Sequence, residues 1–356
     1  MSNDRRTTEC ALDCAVPGLE RTACRAVVVI VNFRTAELTI NCLQSLTGEV
    51  EGVPGMGVVV ADNASGDGFA ERIESAIRAE GWSSWATVLR LGRNGGFAFG
   101  NNAAIREALK AGPAPDYFLL LNPDTIARPG AVEELVSFMD SRPEVGIAGS
   151  LLEDARGTVQ QSAHRKPSPL TELESGARLR PLSRLLHGQA GCLQARDVPW
   201  PCDWVSGASM MVRREVLETA GLMDEGYFLY YDEVDLCSRA RDHGWQVWSV
   251  PASRVMHLEG AVTGFRDVRT RRGRYWYDSR RRFFIKNYGI AGLLAADALW
   301  ACGRLSLAVR RALHLGGSTA GDPKLFAFDL LWGDAKAILT GAAFRIRPAR
   351  QERVGR

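Results

Sequence analysis

Three carboxylates follow a run of aromatics in the stretch Tyr227-Phe228-Leu229-Tyr230-Tyr231-Asp232-Glu233-Val234-Asp235, which continues through Arg239. It reads as a short buried loop that delivers acids to the first turn of a helix. A carboxylate pressed against aromatic surface is desolvated, which raises its pKa and makes it a better base. A plainer reading exists for the same residues. Acids in a first helical turn complement the helix dipole, and Asp235 can pair with Arg239 four residues on. The local residues leave both readings open. Four more polar clusters have ligand-binding chemistry: Asn32, Asp62-Asn63-Ala64-Ser65, Asn94-Gly95-Gly96 and Asn122-Pro123-Asp124.

These clusters need elements to position them. Ala26 to Val31, Gly57 to Ala61, Ala86 to Leu91, Tyr117 to Leu121 and Val145 to Gly149 are short continuous apolar runs, the mark of strands buried on both faces. Helical patterns run from Ala36 to Leu46, from Phe69 to Ala79, from the Gly/Asn-rich turn at Arg93–Asn102 to Ala111, and onward from Pro129. Strands alternating with helices predict a parallel, doubly wound α/β sheet. Ligands of such sheets bind beyond the carboxyl ends of the strands. The clusters at Asn32, Asp62, Asn94 and Asp124 each fall at such an end.

From Leu151 to Pro201 the pattern loosens, and His164-Arg165-Lys166 is basic. This reads as a long acceptor-side excursion or a flexible loop. Order returns at Asp203 to Val212, a helix begins at Arg214, and a last strand runs from Gln246 to Val250. After Gly260 eight arginines lie between Arg266 and Arg282, interleaved with aromatics. Ile290 to Leu315 then reads as an apolar helix interrupted by Asp297, Arg304, Arg310 and Arg311. It fits an amphipathic helix resting on a membrane surface better than a span. Packing on the main domain or on a second copy of the chain fits equally well. The arginines have three readings: contacts to a polyanionic ligand, contacts to anionic headgroups, or a solvated face. The lipid-facing reading is preferred, because aromatics interleave the cluster.

Composition sets outer bounds. The chain has 356 residues, 46% hydrophobic and 24% charged, which is globular. A net charge of +3 and no reader motif argue against nucleic-acid binding. Eight cysteines without paired spacing read as reduced thiols of a cytosolic protein. Residues 1–25 are polar and aperiodic, so a disordered leader without a signal peptide is expected. The expected organisation is that leader, a catalytic domain over 26–260, and a basic, aromatic and helical tail over 261–356.

With these residues in view, the chain resembles the family 2 inverting glycosyltransferases of GT-A fold, and most of all their bacterial rhamnosyltransferase-like branch. The resemblance runs from Val27 to Tyr288 and implies a doubly wound α/β sheet that is mixed but mostly parallel, with a C-terminal helical extension. It rests on an ordered series: a first strand ending in Asn32, Asp62 to Ser65, Asn94 to Asn101, Asn122-Pro123-Asp124, Trp204 to Ala208, Tyr231 to Cys237, and His257.

The resemblance implies a nucleotide-diphosphate sugar donor held by Asn32, Asp62, Asn63, Ser65, Gly95, Gly96, Phe97, Asn101 and Asn122. It implies a divalent cation, Mg²⁺ or Mn²⁺, on Asp124 and His257, which offsets charge on the leaving diphosphate. It implies a carboxylate base, Glu233 by position with Asp232 as the alternative. Trp204, Ser206, Gly207 and Asp235 would meet the acceptor, a glycan or lipid-linked glycan. The implied activity is transfer of a sugar, L-rhamnose from dTDP-rhamnose first and a UDP-sugar second. The implied place is the cytoplasm or the inner face of the membrane. Two departures stand out. Asn122 replaces the first acid of the usual Asp-x-Asp, and the acid pair is reversed as Asp232-Glu233. They keep open a catalytically silent relative that binds nucleotide sugar. A Rossmann oxidoreductase is argued against by Asn32-Phe33-Arg34-Thr35, which lacks the glycine-rich phosphate turn.

Overall fold

The computed structural model describes residues 24–110, 113–179, 182, 195–258, 269–315 and 321–346. The expected strands form where the apolar runs lie. β1 (Ala26–Asn32), β2 (Met56–Asp62), β3 (Ala86–Arg90) and β4 (Tyr117–Leu121) make a parallel block in the order β3-β2-β1-β4. Every residue of β1, β2 and β4 is buried. Alternate side chains feed one apolar cluster on each face, with Val28 and Ile30 on one side and Val27 and Val29 on the other. Helices α1 (Ala36–Gly52), α2 (Phe69–Ala79) and α3 (Phe97–Lys110) connect the strands. Register pairs Asn32 with Asp62 and Asp62 with Arg90, so the polar clusters line one edge of the sheet.

The second half is not parallel throughout. After β5 (Thr125–Ala127), α4 (Ala131–Asp140), β6 (Val145–Glu153), β7 (Ala163–His164), α5 (Pro169–Ala177), β8 (Trp200–Cys202) and β9 (Trp204–Val205) comes β10 (Ser209–Arg213). It inserts antiparallel between β4 and β6. A helix α6 (Arg214–Thr219), the acid-bearing α7 (Asp232–Asp242) and β11 (Gln246–His257) follow. β11 runs parallel to β6 and antiparallel to β5 and β8. The sheet is therefore mixed, as expected. The Leu151–Pro201 stretch holds ordered elements where described, in β7, α5 and β8, so a wholly flexible loop is corrected there. Its remaining positions, and residues 1–23, lie outside the described residues. Cys24 is buried and Arg25 pairs with Asp116 and Asp140, so the fold begins just inside the expected leader.

The C-terminal segment is two helices, α8 (Arg274–Ala312) and α9 (Phe326–Leu339). Gly289 interrupts α8 with φ 69° and ψ −177°, a conformation that L side chains resist. Beyond it, α8 crosses α5 so closely that a Cβ on Gly303 would lie 2.6 Å from the Ala177 nitrogen. The arginines at the start of α8 correct the lipid-facing reading for that part of the cluster. Arg280 is fully buried and pairs with Glu172, Asp297 and Asp334. Arg281 pairs with Asp334 and Asp278, and Arg282 with Asp224. These side chains tie α5, α8 and α9 together. Arg266 lies outside the described residues.

Candidate active site

Asn32 ends β1 with its side chain saturated. Its Nδ2 donates to Asp62 Oδ1 at 2.6 Å and to Ser65 Oγ at 3.1 Å. Its Oδ1 accepts from Thr35 N, Thr35 Oγ1 and Thr39 Oγ1. Ser65 Oγ is equally committed, donating to Asp62 Oδ1 and accepting from Arg34 N and Asn32 Nδ2. Both were expected to touch the donor. Their hydrogen bonds hold Asp62, whose Oδ2 accepts only from Ser65 N among the described residues.

Asn63 and Asn101 are different. Asn63 donates to Gly96 O at 2.9 Å and Asn101 to Phe97 O at 3.0 Å. The Oδ1 of each is buried with no partner among the described residues. An orphaned buried acceptor costs about 1–3 kcal/mol and calls for a donor from elsewhere. Gly96 has φ 90°, and a Cβ there would run into the Phe228 carbonyl. The Phe97 amide donates to that same carbonyl at 2.8 Å. The glycines were expected to admit a ligand. Instead Gly96 admits the backbone that leads to the acid pair, and Gly95 packs against the Phe99 ring.

That backbone is strained. Tyr230 and Tyr231 both have positive φ, 68° and 65°, costing about 1–3 kcal/mol each for bulky side chains. Rings hold them: Tyr230 stacks on Tyr275, and Tyr231 packs on Phe283 and Trp276. The strain turns the chain sharply enough to place Asp232 and Glu233 at the head of α7. Asp232 is buried, and its Oδ2 and Glu233 Oε2 lack hydrogen-bond partners among the described residues. Burial, then the neighbouring Glu233 charge, push the Asp232 carboxyl well above its usual range. Glu233 is the more accessible of the two. Gly207 sits between the Phe97 ring and Glu233 Cβ, each 3.5 Å from a Cβ built there.

Asp235 points the other way. It is buried, with Oδ1 taking Lys286 Nζ at 2.5 Å and the Tyr227 hydroxyl at 3.2 Å, and Oδ2 taking Arg239 at 2.8 Å. These contacts anchor α7 through both oxygens of this carboxylate, which was expected to meet the acceptor. Asp224 shares Lys286 and takes Arg282. Burial pushes Asp224 up, but Lys286 and Arg282 outweigh it and hold it below the usual range. Trp204 is also more committed than expected. It is half-buried, stacks on His164 at 4.1 Å, and donates from Nε1 to Arg165 O. One ring face is thus taken, and Trp204 serves as a wall. Burial pushes the His164 imidazole down to about 4. Ser206 caps the turn before β10 by accepting from Ala208 N.

The β5–β11 ladder pairs His257 with Thr125, which sets His257 beside Asp124. His257 Nε2 lies 3.4 Å from Asp124 Oδ1, a buried oxygen without a hydrogen-bond partner. Two ligands at right angles on one small divalent ion are about 3 Å apart, so the pair fits such an ion. Among the described residues no group of three His, Cys, Asp or Glu does so, and the remaining ligands would be phosphate oxygens and water. Asn122 follows β4, and its backbone N–H donates to Ala208 O at 3.0 Å, close to the Ser206-Gly207-Ala208 turn. Sequence reasoning missed Gln160. It donates to His257 O, and its Oε1 is a further buried acceptor without a partner. No local signal marks it, because it stands in a turn after β6.

The clusters therefore interlock as one site beyond the carboxyl ends of the strands. The chain matches the description "Glycosyltransferase like family 2" over residues 20–279. It belongs to that family and is a glycosyltransferase. It is 30% identical over 227 residues to an N-acetylglucosaminyl-diphospho-decaprenol L-rhamnosyltransferase of Mycobacterium tuberculosis, covering 58% of this chain and 68% of that one. It is 25% identical over 203 residues to the dTDP-rhamnosyl transferase RfbF of Shigella flexneri, covering 57% and 60%. Among solved structures it resembles the mannosyltransferase PcManGT of Pyrobaculum calidifontis, with a TM-score of 0.53 at 16% identity, covering 94% and 84%. That likeness bears on the fold, which is of the GT-A kind.

Proposed function

We propose that this glycosyltransferase moves L-rhamnose from dTDP-rhamnose to a hydroxyl of a lipid-linked glycan, with inversion at the anomeric carbon. The observation that carries the reading is the set of unpartnered buried oxygens on Asn63, Asn101, Asp124, Asp232 and Glu233, on loops that touch one another. Such atoms await a ligand rich in hydroxyl and amide donors, or a cation. Two relatives whose names specify rhamnosyl transfer support the donor.

In this reading Asp62 takes a ring N–H of the base, while Asn63 and Asn101 take donor hydroxyls. Asp124 and His257 would hold Mg²⁺ or Mn²⁺, which supplies neutralising charge at the leaving diphosphate when bound. Glu233 accepts the acceptor hydroxyl's proton as that oxygen displaces the diphosphate from the opposite face. Asp232 lies buried beside it, and burial favours the neutral form of that carboxyl. Asn122 lacks a charge, so the pair Asp124 and His257 carries the cation without it. A lipid-linked acceptor places the enzyme in the cytoplasm at the inner face of the membrane.

The test is a transfer assay with dTDP-rhamnose and a UDP-sugar panel, with product stereochemistry read by NMR. Inverted product from dTDP-rhamnose alone supports the reading. Turnover of a UDP-sugar instead, or retained configuration, refutes it.

A further inference from the structure

The C-terminal helices present an apolar surface that nothing in the described chain covers. On α9, Phe326, Leu330, Asp334 and Ala337 face inwards and are buried. The opposite face is apolar too: Phe328, Trp332 and Leu339 follow one another at helical spacing, and Leu339 is 80% exposed. A helix apolar all round belongs in a core or against lipid. On α8, Leu305 and Val309, continued by Leu313 at its C-cap, make a second stripe at i, i+4, i+8, all exposed. One stretch of α8 is long and apolar enough to span a bilayer, and 33% of it is buried in the protein. Asp297 in that helix pairs with the buried Arg280, and Gly303 is locked against α5. The helix therefore lies along the protein.

Charge selects the occupant. The four acids from 294 to 346 are all engaged by arginine: Asp297 and Asp334 by Arg280, Asp322 by Arg178 and Arg304, Asp329 by Arg271. Lys336 is exposed in the same stripe as Trp332 and Leu339, and Lys324 is exposed just before α9. Exposed aromatics and leucines with lysines beside them are the signature of a helix seated in an anionic lipid surface. The plate also adjoins the acid pair. Tyr231, next to Asp232, meets Trp276 at 6.1 Å, and Trp276 meets Phe326 of α9 at 5.5 Å.

We infer that the outer faces of α8 beyond Gly289 and of α9 form one plate that seats the enzyme on an anionic bilayer. The inference rests on these residues and not on the donor or acceptor assigned above. The experiment is flotation of the full chain with phosphatidylglycerol/phosphatidylcholine vesicles and with phosphatidylcholine vesicles, both free of glycan lipid. The wild-type chain floats with the anionic vesicles. Phe328→Ser/Trp332→Ser/Leu339→Ser weakens partition at least about tenfold. Lys324→Glu/Lys336→Glu weakens it about tenfold on anionic vesicles and leaves the neutral ones unchanged. Circular dichroism melts within a few degrees of wild type confirm that both variants fold. Wild type that fails to float, or an apolar variant that floats like wild type, overturns the inference. A wild-type dimer in light scattering that the apolar variant splits also overturns it, and assigns the plate to a second copy.

Discussion

Gly96 packs its α-carbon against the carbonyl of Phe228, joining the Asn94–Asn101 turn to the strained loop before Asp232 and Glu233. A methyl group there would meet backbone, and the φ of 90° already disfavours an L side chain. Gly96→Ala should cost at least about 2 kcal/mol, the scale of strain at a special φ/ψ. It should also lower kcat in whatever protein still folds. Thermal melts and turnover of the purified variant check this. A variant with wild-type melting and turnover would show that the two loops are not coupled.

Glu233 and Asp232 separate by what their loss does. Glu233→Gln should lose about 10²- to 10⁴-fold in kcat, the worth of a general base, while donor affinity survives. Single-turnover kinetics and donor titration report the two quantities. An inactive Asp232→Asn beside an active Glu233→Gln would exchange the roles.

Asp232 also makes a prediction for stability against pH. Its folded pKa is raised, so the folded state binds that proton more tightly than the unfolded chain does. The stabilisation is complete below the unfolded value of about 3.9 and is lost as pH rises through the folded value. Asp232→Asn stays neutral throughout. Its melting temperature should therefore gain on wild type as pH rises from about 4 to about 8. A difference that does not vary with pH would contradict the burial of this carboxyl.

Asp235 anchors α7 through Lys286 and Arg239, and both of its oxygens are engaged there. Asp235→Ala removes one carboxylate from Lys286, which keeps Asp224, and from Arg239, which keeps backbone carbonyls, so the loss should be about 1.5–3 kcal/mol, the worth of a hydrogen bond to a charged group. Acceptor KM should hold in the folded fraction. An unchanged melting temperature with a raised acceptor KM would restore the acceptor-binding role.

Much of this was legible in the sequence, and the gaps have physical causes. Continuous apolar runs such as Val27 to Val31 mark strands buried on both faces whatever their neighbours, so the parallel block and its polar ends could be read. The antiparallel insertion of β10 could not, because Ser209 to Arg213 carries no local record of its partner's direction. The arginines failed for a related reason. Arg280, Arg281 and Arg282 look alike in sequence whether they face lipid or acids. Apart from Asp278, which Arg281 reaches three positions away, their partners Glu172, Asp224, Asp297 and Asp334 lie 17 to 108 positions away. The polar clusters were found by residue type. Which of them hold a ligand and which hold each other depends on hydrogen-bond saturation, and Asn32 and Asn63 differ only in that.

The central claim is a nucleotide-sugar site completed by a cation on Asp124 and His257, and its most direct test is donor binding by thermal shift. Wild type, Asp124→Ala and His257→Ala would be melted against dTDP-, UDP- and GDP-sugars, with Mn²⁺ and with EDTA. Ligand that binds only the native state raises the melting temperature. The account predicts a shift with dTDP-rhamnose and Mn²⁺ in wild type that EDTA or either substitution removes. An undiminished shift in EDTA and in Asp124→Ala would contradict the cation assignment, and no shift with any sugar nucleotide would contradict the site itself.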